Sequence, residues 1–362
     1  MHTRAHNFNP GPAALPLPVL EQVQQELLDF EGSGMSILEM SHRGAVYERV
    51  HNEAITNLRK LLGCGEDYTM LFMGGGATTQ FALVPMNLLR KGSHTEYLVT
   101  GTWGEAALRE ARKIGDAREI WSSASTKHNR VPTPNEFRVN PQAAYLHYTS
   151  NNTIEGTQFP YIPDSSLVPL VCDMSSDILS RPLEASRFGL IYAGAQKNMG
   201  PAGVTLVIIH QDLLERSSPD LTATFSYARM AKENSLLNTP PVFAVYMISL
   251  VTQHWLDQGG LQAVQACNSK KAGLLYDAID RSGGFYRGCA QPSSRSQMNV
   301  TFQLPTAELE KRFALESNEA GLIGLKGHRS VGGIRASLYN AVGLESVQAL
   351  VEFMKEFQER RG

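Results

Sequence analysis

The feature that most narrows the folds open to this chain is a series of short, nearly all-apolar runs separated by stretches of helical period. The runs at 68–72, 95–100, 143–148, 168–172, 188–193 and 204–209 read as strands without a clean one-face alternation. Strands of that kind are buried on both faces, the condition of a parallel sheet covered by helices. The intervening stretches supply helices, one from the glycines at 74–76 to Leu89 and another over 103–114. The spacing predicts an α/β fold with a mostly parallel sheet. The C-terminal part follows a different rule. Leu261, Val264, Leu274, Leu275, Ala278 and Ile279 mark one face of a long helix. Val347, Leu350, Val351, Met354 and Phe357 mark another, with strand-like runs at 297–303 and 334–339 between them. That predicts a smaller α+β domain. The Gly259-Gly260 pair sets the boundary, giving a large domain over 16–260 and a small one from 1–15 and 261–362. The proline-rich segment 1–15 is irregular and is free to fold back onto either.

Composition sets the outer limits. A chain of 362 residues has length for about two domains of roughly 150 residues. With 42% apolar and 19% charged residues it can bury a core and is not disordered by composition. Lys and Arg number 33 against 35 Asp and Glu, a net charge of −2, which gives no reason to expect nucleic acid as a partner. Four cysteines, none in a C-x-x-C pair, argue against a disulfide framework or a cysteine-rich zinc site and suit a reducing cytoplasm. The apolar run at 206–209 falls far short of the ~20 residues a membrane span needs. His2, His6, His51, His94, His128, His147, His210 and His254 lack the spacing of a metal site, so no metal is expected.

The most informative segment for chemistry is Gly194-Ala195-Gln196-Lys197-Asn198-Met199-Gly200-Pro201-Ala202-Gly203. A lone lysine stands between two apolar strands among residues small enough to let a flat ligand approach the backbone. Desolvated there, its amine would be neutral and nucleophilic near neutral pH, as a Schiff base with an aldehyde cofactor requires. A turn lysine facing water also fits. Asp173 ends the run at 168–172, where a carboxylate faces the ligand crevice of an α/β sheet and could keep a pyridine nitrogen protonated. A helix N-cap fits it as well. Gly74-Gly75-Gly76-Ala77-Thr78-Thr79 opens a helix after a strand, a site for phosphate, but is neither a Walker A loop nor a G-x-G-x-x-G fingerprint. Trp103 follows another strand and could stack on a planar ring or simply pack. His42-Arg43, His328-Arg329 and Arg335 lie in glycine-containing loops and suggest a small, multiply anionic substrate, each being singly compatible with a solvated surface pair. Cys289 reads either as a nucleophile or as an inert thiol.

Taken in this order, these residues resemble the phosphoserine aminotransferase family, in class V of the fold-type I pyridoxal phosphate enzymes. The resemblance runs from Asn7-Phe8-Asn9-Pro10-Gly11-Pro12-Ala13 to Arg335-Ala336-Ser337-Leu338-Tyr339-Asn340-Ala341. Its most specific stretches are Ser41-His42-Arg43-Gly44, Ile178-Leu179-Ser180-Arg181-Pro182, Ala193 to Asn198, Asn238-Thr239-Pro240-Pro241 and Gly327-His328-Arg329. The resemblance implies a seven-stranded sheet in the large domain and pyridoxal 5'-phosphate as cofactor. It implies that Lys197 is the Schiff-base lysine, that Asp173 binds the ring nitrogen, and that Trp103 stacks on the ring. Thr153 would bond the ring hydroxyl, and Ala77, Thr78 and Gln196 would hold the phosphate. Asn238 and Thr239 would reach that phosphate from a second subunit, which implies a homodimer. Arg335 would take the substrate α-carboxylate. His42 and Arg43 of one subunit, with His328 and Arg329 of the other, would take the substrate phosphate. Some members place an arginine just after the triple glycine, and here that position is Thr78. The implied reaction moves the amino group of L-glutamate to 3-phosphohydroxypyruvate, for serine biosynthesis. Alternatives on the same scaffold are a main or additional activity on 3-hydroxy-2-oxo-4-phosphonooxybutanoate, in vitamin B6 synthesis, and a cysteine desulfurase, for which Cys289 would be the thiol.

Overall fold

The computed structural model describes residues 4–165 and 168–362; His2 and the start of the segment 1–15 lie outside them. Seven strands form the central sheet: β1 (Tyr68–Met73), β2 (His94–Val99), β3 (Asp116–Ser122), β4 (Leu146–Thr149), β5 (Leu170–Asp173), β6 (Leu190–Gly194) and β7 (Thr205–His210). Their order is β1-β7-β6-β5-β4-β2-β3. Neighbours are parallel except around β7, which runs antiparallel to β6 and to β1. The apolar strands are explained by two separate cores. Met70 and Phe72 of β1, with Leu206 and Ile208 of β7, enter the core on one face. Leu71, Met73, Val207 and Ile209 enter the core on the other. Successive side chains of a strand point to opposite faces, so a strand covered on both sides has no polar position to spare.

Helices α1 (Leu17–Glu26), α2 (Ala45–Leu62) and, later, α5 (Val242–Asp257) cover the first face; α3 (Gly76–Leu88) and α4 (Thr102–Ile114) cover the second. Strand β3 was not anticipated from the sequence. It lies at one of the two edges of the sheet, where only its Ala117 is buried and Arg118 and Glu119 are exposed, so it lacks the apolar signature of its neighbours.

The C-terminal part packs α6 (Gly260–Asp280), α7 (Ala307–Glu319) and α8 (Leu344–Arg361) on a small antiparallel sheet that includes β8 (Asn299–Gln303) and β9 (Ile334–Ser337). The N-terminal segment joins this unit: His6–Asn7 pairs in parallel with Leu322–Ile323, and Phe8 is buried in the same core. Gly259 and Gly260 take φ of +93° and +72°, a reversal that breaks α5 from α6 and that a side chain with Cβ adopts only with strain. We propose the domain division at this turn, 16–260 against 1–15 with 261–362. Packing crosses it, because Leu261 and Val264 of α6 sit in the large core while Leu275 and Ile279 sit in the small one.

Candidate active site

The parallel strands all end on one side, and the loops leaving β2, β4, β5 and β6 converge there on a cavity of about 430 Å³. Ligands bind at this edge in open α/β sheets because the loops there splay apart. Lys197, Asp173, Thr153, Trp103, Gln196, Ala77, Thr78, His328 and Arg335 all line it. Thus Lys197 and the acid 24 positions before it, read separately from the sequence, face one space.

Lys197 stands in the turn between β6 and β7. Its Nζ donates to Thr153 Oγ1 at 2.7 Å. Gly11, at φ +135°, crosses so close that a Cβ there would lie 3.3 Å from Lys197 Cγ. Burial draws the Lys197 amine down to about 8; Asp173 opposes this and Arg335 adds to it. Asp173, at the last position of β5, is buried, and its Oδ1 accepts from the Ser175 N–H at 2.9 Å. Burial raises its pKa, while the bonds from Ser175 and the charge of Lys197 pull the other way. Arg335 reaches the cavity from β9 of the small unit and donates to Thr153 O at 3.3 Å. Burial lowers its pKa as well. Lys197, Asp173 and Arg335 therefore form a compact set of one carboxylate and two cations in a low-dielectric pocket, where each charge is felt strongly.

The pocket suits pyridoxal phosphate in its donor set. Trp103 Nε1, Thr149 Oγ1 and Arg335 Nε are buried and have no partner among the described residues. Helix α3 opens at Gly75 and Gly76, with φ of +89° and +70°, and no side chain caps it. Its free N–H groups beside Ala77 and Thr78 can take a phosphate. Gln196 folds back over Gly194, where a Cβ would lie 2.6 Å from its Oε1.

Several lining groups escaped the sequence reading. Thr149, Asn151, Ser175 and Ser176 lie at or just past the ends of β4 and β5, and Pro10 and Gly11 close the cavity from the N-terminal segment. Position after a buried strand was the signal available for the first four. Glu155 was missed too: its Oε1 accepts from Thr102 N at 2.8 Å and from Thr102 Oγ1 at 2.6 Å, fixing the first turn of α4 next to Trp103.

Other expected residues lie apart from this cavity in the single chain. Asn238 and Thr239 line a separate cavity with Gly74, Gly75 and Thr79. His42 and Arg43 stand just before α2, and Arg329 is exposed. Cys289 is not among the lining residues; burial raises its thiol pKa, and it lies in the hairpin where its N–H bonds Thr301 O. A thiol kept protonated and away from the lysine gives no support to desulfurase chemistry. Among the described residues no group of three His, Cys, Asp or Glu could hold a metal ion.

A parallel sheet with a lysine and a buried aspartate at its carboxyl edge defines the class of a pyridoxal phosphate transferase. The chain belongs to the class-V aminotransferases, whose family model matches residues 5–350. Within that class it falls among the phosphoserine aminotransferases. It is 55% identical to the phosphoserine aminotransferase of Niallia circulans over 362 residues, covering 100% of both chains. It is 54% identical to that of Desulfatibacillum aliphaticivorans, again over 100% of both. Its fold matches the structure of the phosphoserine aminotransferase from Bacillus circulans subsp. alkalophilus with a TM-score of 0.98 and 55% identity, over 99% of each chain. It also matches the pyridoxal phosphate-bound enzyme from Trichomonas vaginalis with a TM-score of 0.93 and 38% identity, over 97% of this chain and 100% of that one.

Proposed function

We infer that this protein is a pyridoxal phosphate-dependent transaminase that passes the amino group of L-glutamate to 3-phosphohydroxypyruvate, giving O-phospho-L-serine and 2-oxoglutarate. The observation that carries this reading is the convergence of Lys197, Asp173 and Arg335 on one cavity. Bound pyridoxal phosphate supplies an aldehyde and a cationic ring that accepts the electron pair left at the amino-acid Cα.

The chain's own groups then have distinct tasks. Asp173, buried and oriented by Ser175, would hold a proton at the ring nitrogen. Trp103 would cover the ring, Thr153 would orient its hydroxyl, and Ala77, Thr78 and Gln196, which line the same cavity, would bind the phosphate beside the opening of α3. Arg335 grips the α-carboxylate, which glutamate and phosphoserine share, and so presents Cα to Lys197. The Lys197 amine would take the Cα proton and hand it to the cofactor's former aldehyde carbon on the other side of the shared nitrogen, acting as base and then as acid. An amine with a pKa of about 8 is suited to both roles near neutral pH. His328, which lines the cavity, and Arg329 beside it in the chain would take the substrate phosphate.

We propose a homodimer as the active form. Leu28, Met35 and Leu38 are exposed apolar side chains in the segment that leads to His42 and Arg43, and Phe225 is exposed in the cavity lined by Asn238 and Thr239. A second copy covering these surfaces would bring Asn238 and Thr239 to the cofactor phosphate and His42 and Arg43 to the substrate phosphate. Four free thiols, at Cys64, Cys172, Cys267 and Cys289, fit a reducing cytoplasm. No helix of the described residues is long and apolar enough to cross a membrane.

An absorbance titration of the holoenzyme tests the reading. Glutamate should convert the aldehyde form of the cofactor to the amine form, and 3-phosphohydroxypyruvate should return it. No conversion by glutamate would overturn the transaminase reading; conversion without return by the phosphorylated acid would overturn the substrate.

A further inference from the structure

Residues 178–182 were singled out in the sequence, yet none of them lines the cavity. Their backbone is the focus of a buried asparagine network. Asn198, the residue after Lys197, donates from Nδ2 to Ile178 O at 3.0 Å. Its Oδ1 accepts the backbone N–H of Asn340 at 3.0 Å. Asn340 donates from Nδ2 to Leu179 O at 2.8 Å. Asn268 of α6 donates from its Nδ2 to Ser180 O at 3.1 Å and to Asn340 Oδ1 at 2.9 Å. Three successive carbonyls are thus each held by a different asparagine, and all three asparagines are buried. Leu179, at their centre, has φ +59°, a left-handed conformation unusual for leucine. Such a residue persists only where its surroundings over-determine it.

The three asparagines come from three places. Asn198 belongs to the lysine turn, Asn340 follows the strand that carries Arg335, and Asn268 belongs to the helix that joins the two cores. Lys271, one turn beyond Asn268, donates to the carbonyls of Leu338, Tyr339 and Val342 at 3.0, 2.9 and 2.9 Å, so the turn bearing Asn340 is fixed from the backbone as well. A carboxamide carries a donor nitrogen and an acceptor oxygen at one side-chain end, and Asn198 and Asn340 use both, while Asn268 donates twice.

We propose that Asn198, Asn340 and Asn268 form a clasp that sets Lys197 against Arg335, and that Asn198 and Asn340 are positioning residues for the proton transfer. The inference rests on the roles given above to Lys197 and Arg335. None of the three asparagines lines the cavity. Its loss therefore misaligns the α-carbon and the amine in both half-reactions alike and leaves cofactor binding in place.

The test is single-turnover conversion of the Asn198→Ala and Asn340→Ala holoenzymes, normalised to cofactor content, with glutamate and separately with O-phosphoserine. A misplacement near 1 Å costs on the order of 100-fold, so rates should fall about 10–100-fold with both donors. The isotope effect with α-deuterated glutamate should rise, because proton transfer becomes more limiting. A residue with a merely structural role would lower thermal stability and leave the per-site rate and isotope effect at wild-type values, and that result overturns the proposal. If those variants do not fold, Asn268→Ala, at the far end of the clasp, should give a smaller loss in the same direction; an unchanged per-site rate there also overturns it. Failure of the wild-type enzyme to react with glutamate would instead overturn the transaminase reading itself.

Discussion

Two lysines of this chain have their charge disfavoured by burial, Lys271 wholly and Lys197 in part, and they differ in what surrounds them. Burial draws both amines down to about 8. Lys271 is fully buried, and its three N–H bonds go to three backbone carbonyls. Lys197 makes a single bond, to Thr153 Oγ1, and otherwise faces a cavity shared with Asp173 and Arg335. Lowered basicity alone therefore does not mark a reactive lysine. An amine is available for chemistry when its donors are not all engaged and space is left beside it for an electrophile.

The contrast can be broken by exchanging the consequences of losing each. Lys197→Ala should bind pyridoxal phosphate and keep its fold while turnover falls by about 10⁴-fold or more, the upper range for removal of a general base, with loss of the covalent anchor added. Steady-state transamination at the wild-type rate would contradict the division of roles. Lys271→Met should do the reverse. It leaves three buried carbonyls without a donor and should lower unfolding free energy by about 1–3 kcal/mol, the range for leaving a buried hydrogen-bonding group unsatisfied. Denaturant unfolding measures this, and the variant should still take up cofactor on Lys197. An unchanged unfolding midpoint would show that Lys271 has no structural task.

A smaller effect sharpens the electrostatics of the reactive lysine. In cofactor-free protein the neutral fraction of Lys197 grows as pH rises through about 8. Incorporation of pyridoxal phosphate needs that neutral amine, so its rate should increase with pH and level off above that midpoint. Asp173 stabilises the ammonium and holds the Lys197 pKa up against burial. Asp173→Asn should therefore move the midpoint to lower pH, even as it weakens cofactor binding. A midpoint that stays or rises would mean that the carboxylate does not act on the amine.

The same contrast explains what was legible in the sequence. Lys197 stood out because small residues on both sides leave few structural reasons for a lysine. Strands β1, β5, β6 and β7 stood out because burial on both faces removes polar positions altogether. Strand β3 did not, since only its Ala117 is buried while Arg118 and Glu119 reach solvent; β1, at the opposite edge, is covered and keeps the signature. Lys271 was hidden for a related reason. It lies among the apolar positions of α6 that mark the buried face, where periodicity alone would send a lysine to solvent. The carbonyls that accept its bonds lie 67 to 71 residues away in the chain. Asn198, Asn268 and Asn340 gave no local signal, because an amide buried by distant partners has the same local pattern as a loop or surface amide. The residues proposed to take the substrate phosphate were legible as His–Arg pairs, yet His42, Arg43 and Arg329 do not line the cavity of one chain, and the geometry that would unite them is proposed to lie between two copies.

We propose that one amine, that of Lys197, bonds the cofactor aldehyde. Borohydride reduction of the active holoenzyme, followed by peptide mapping, locates that bond. One labelled peptide is expected, the one containing Lys197, with no label on the peptide containing Lys271. Label on any other lysine, or fully active protein with none, would contradict it.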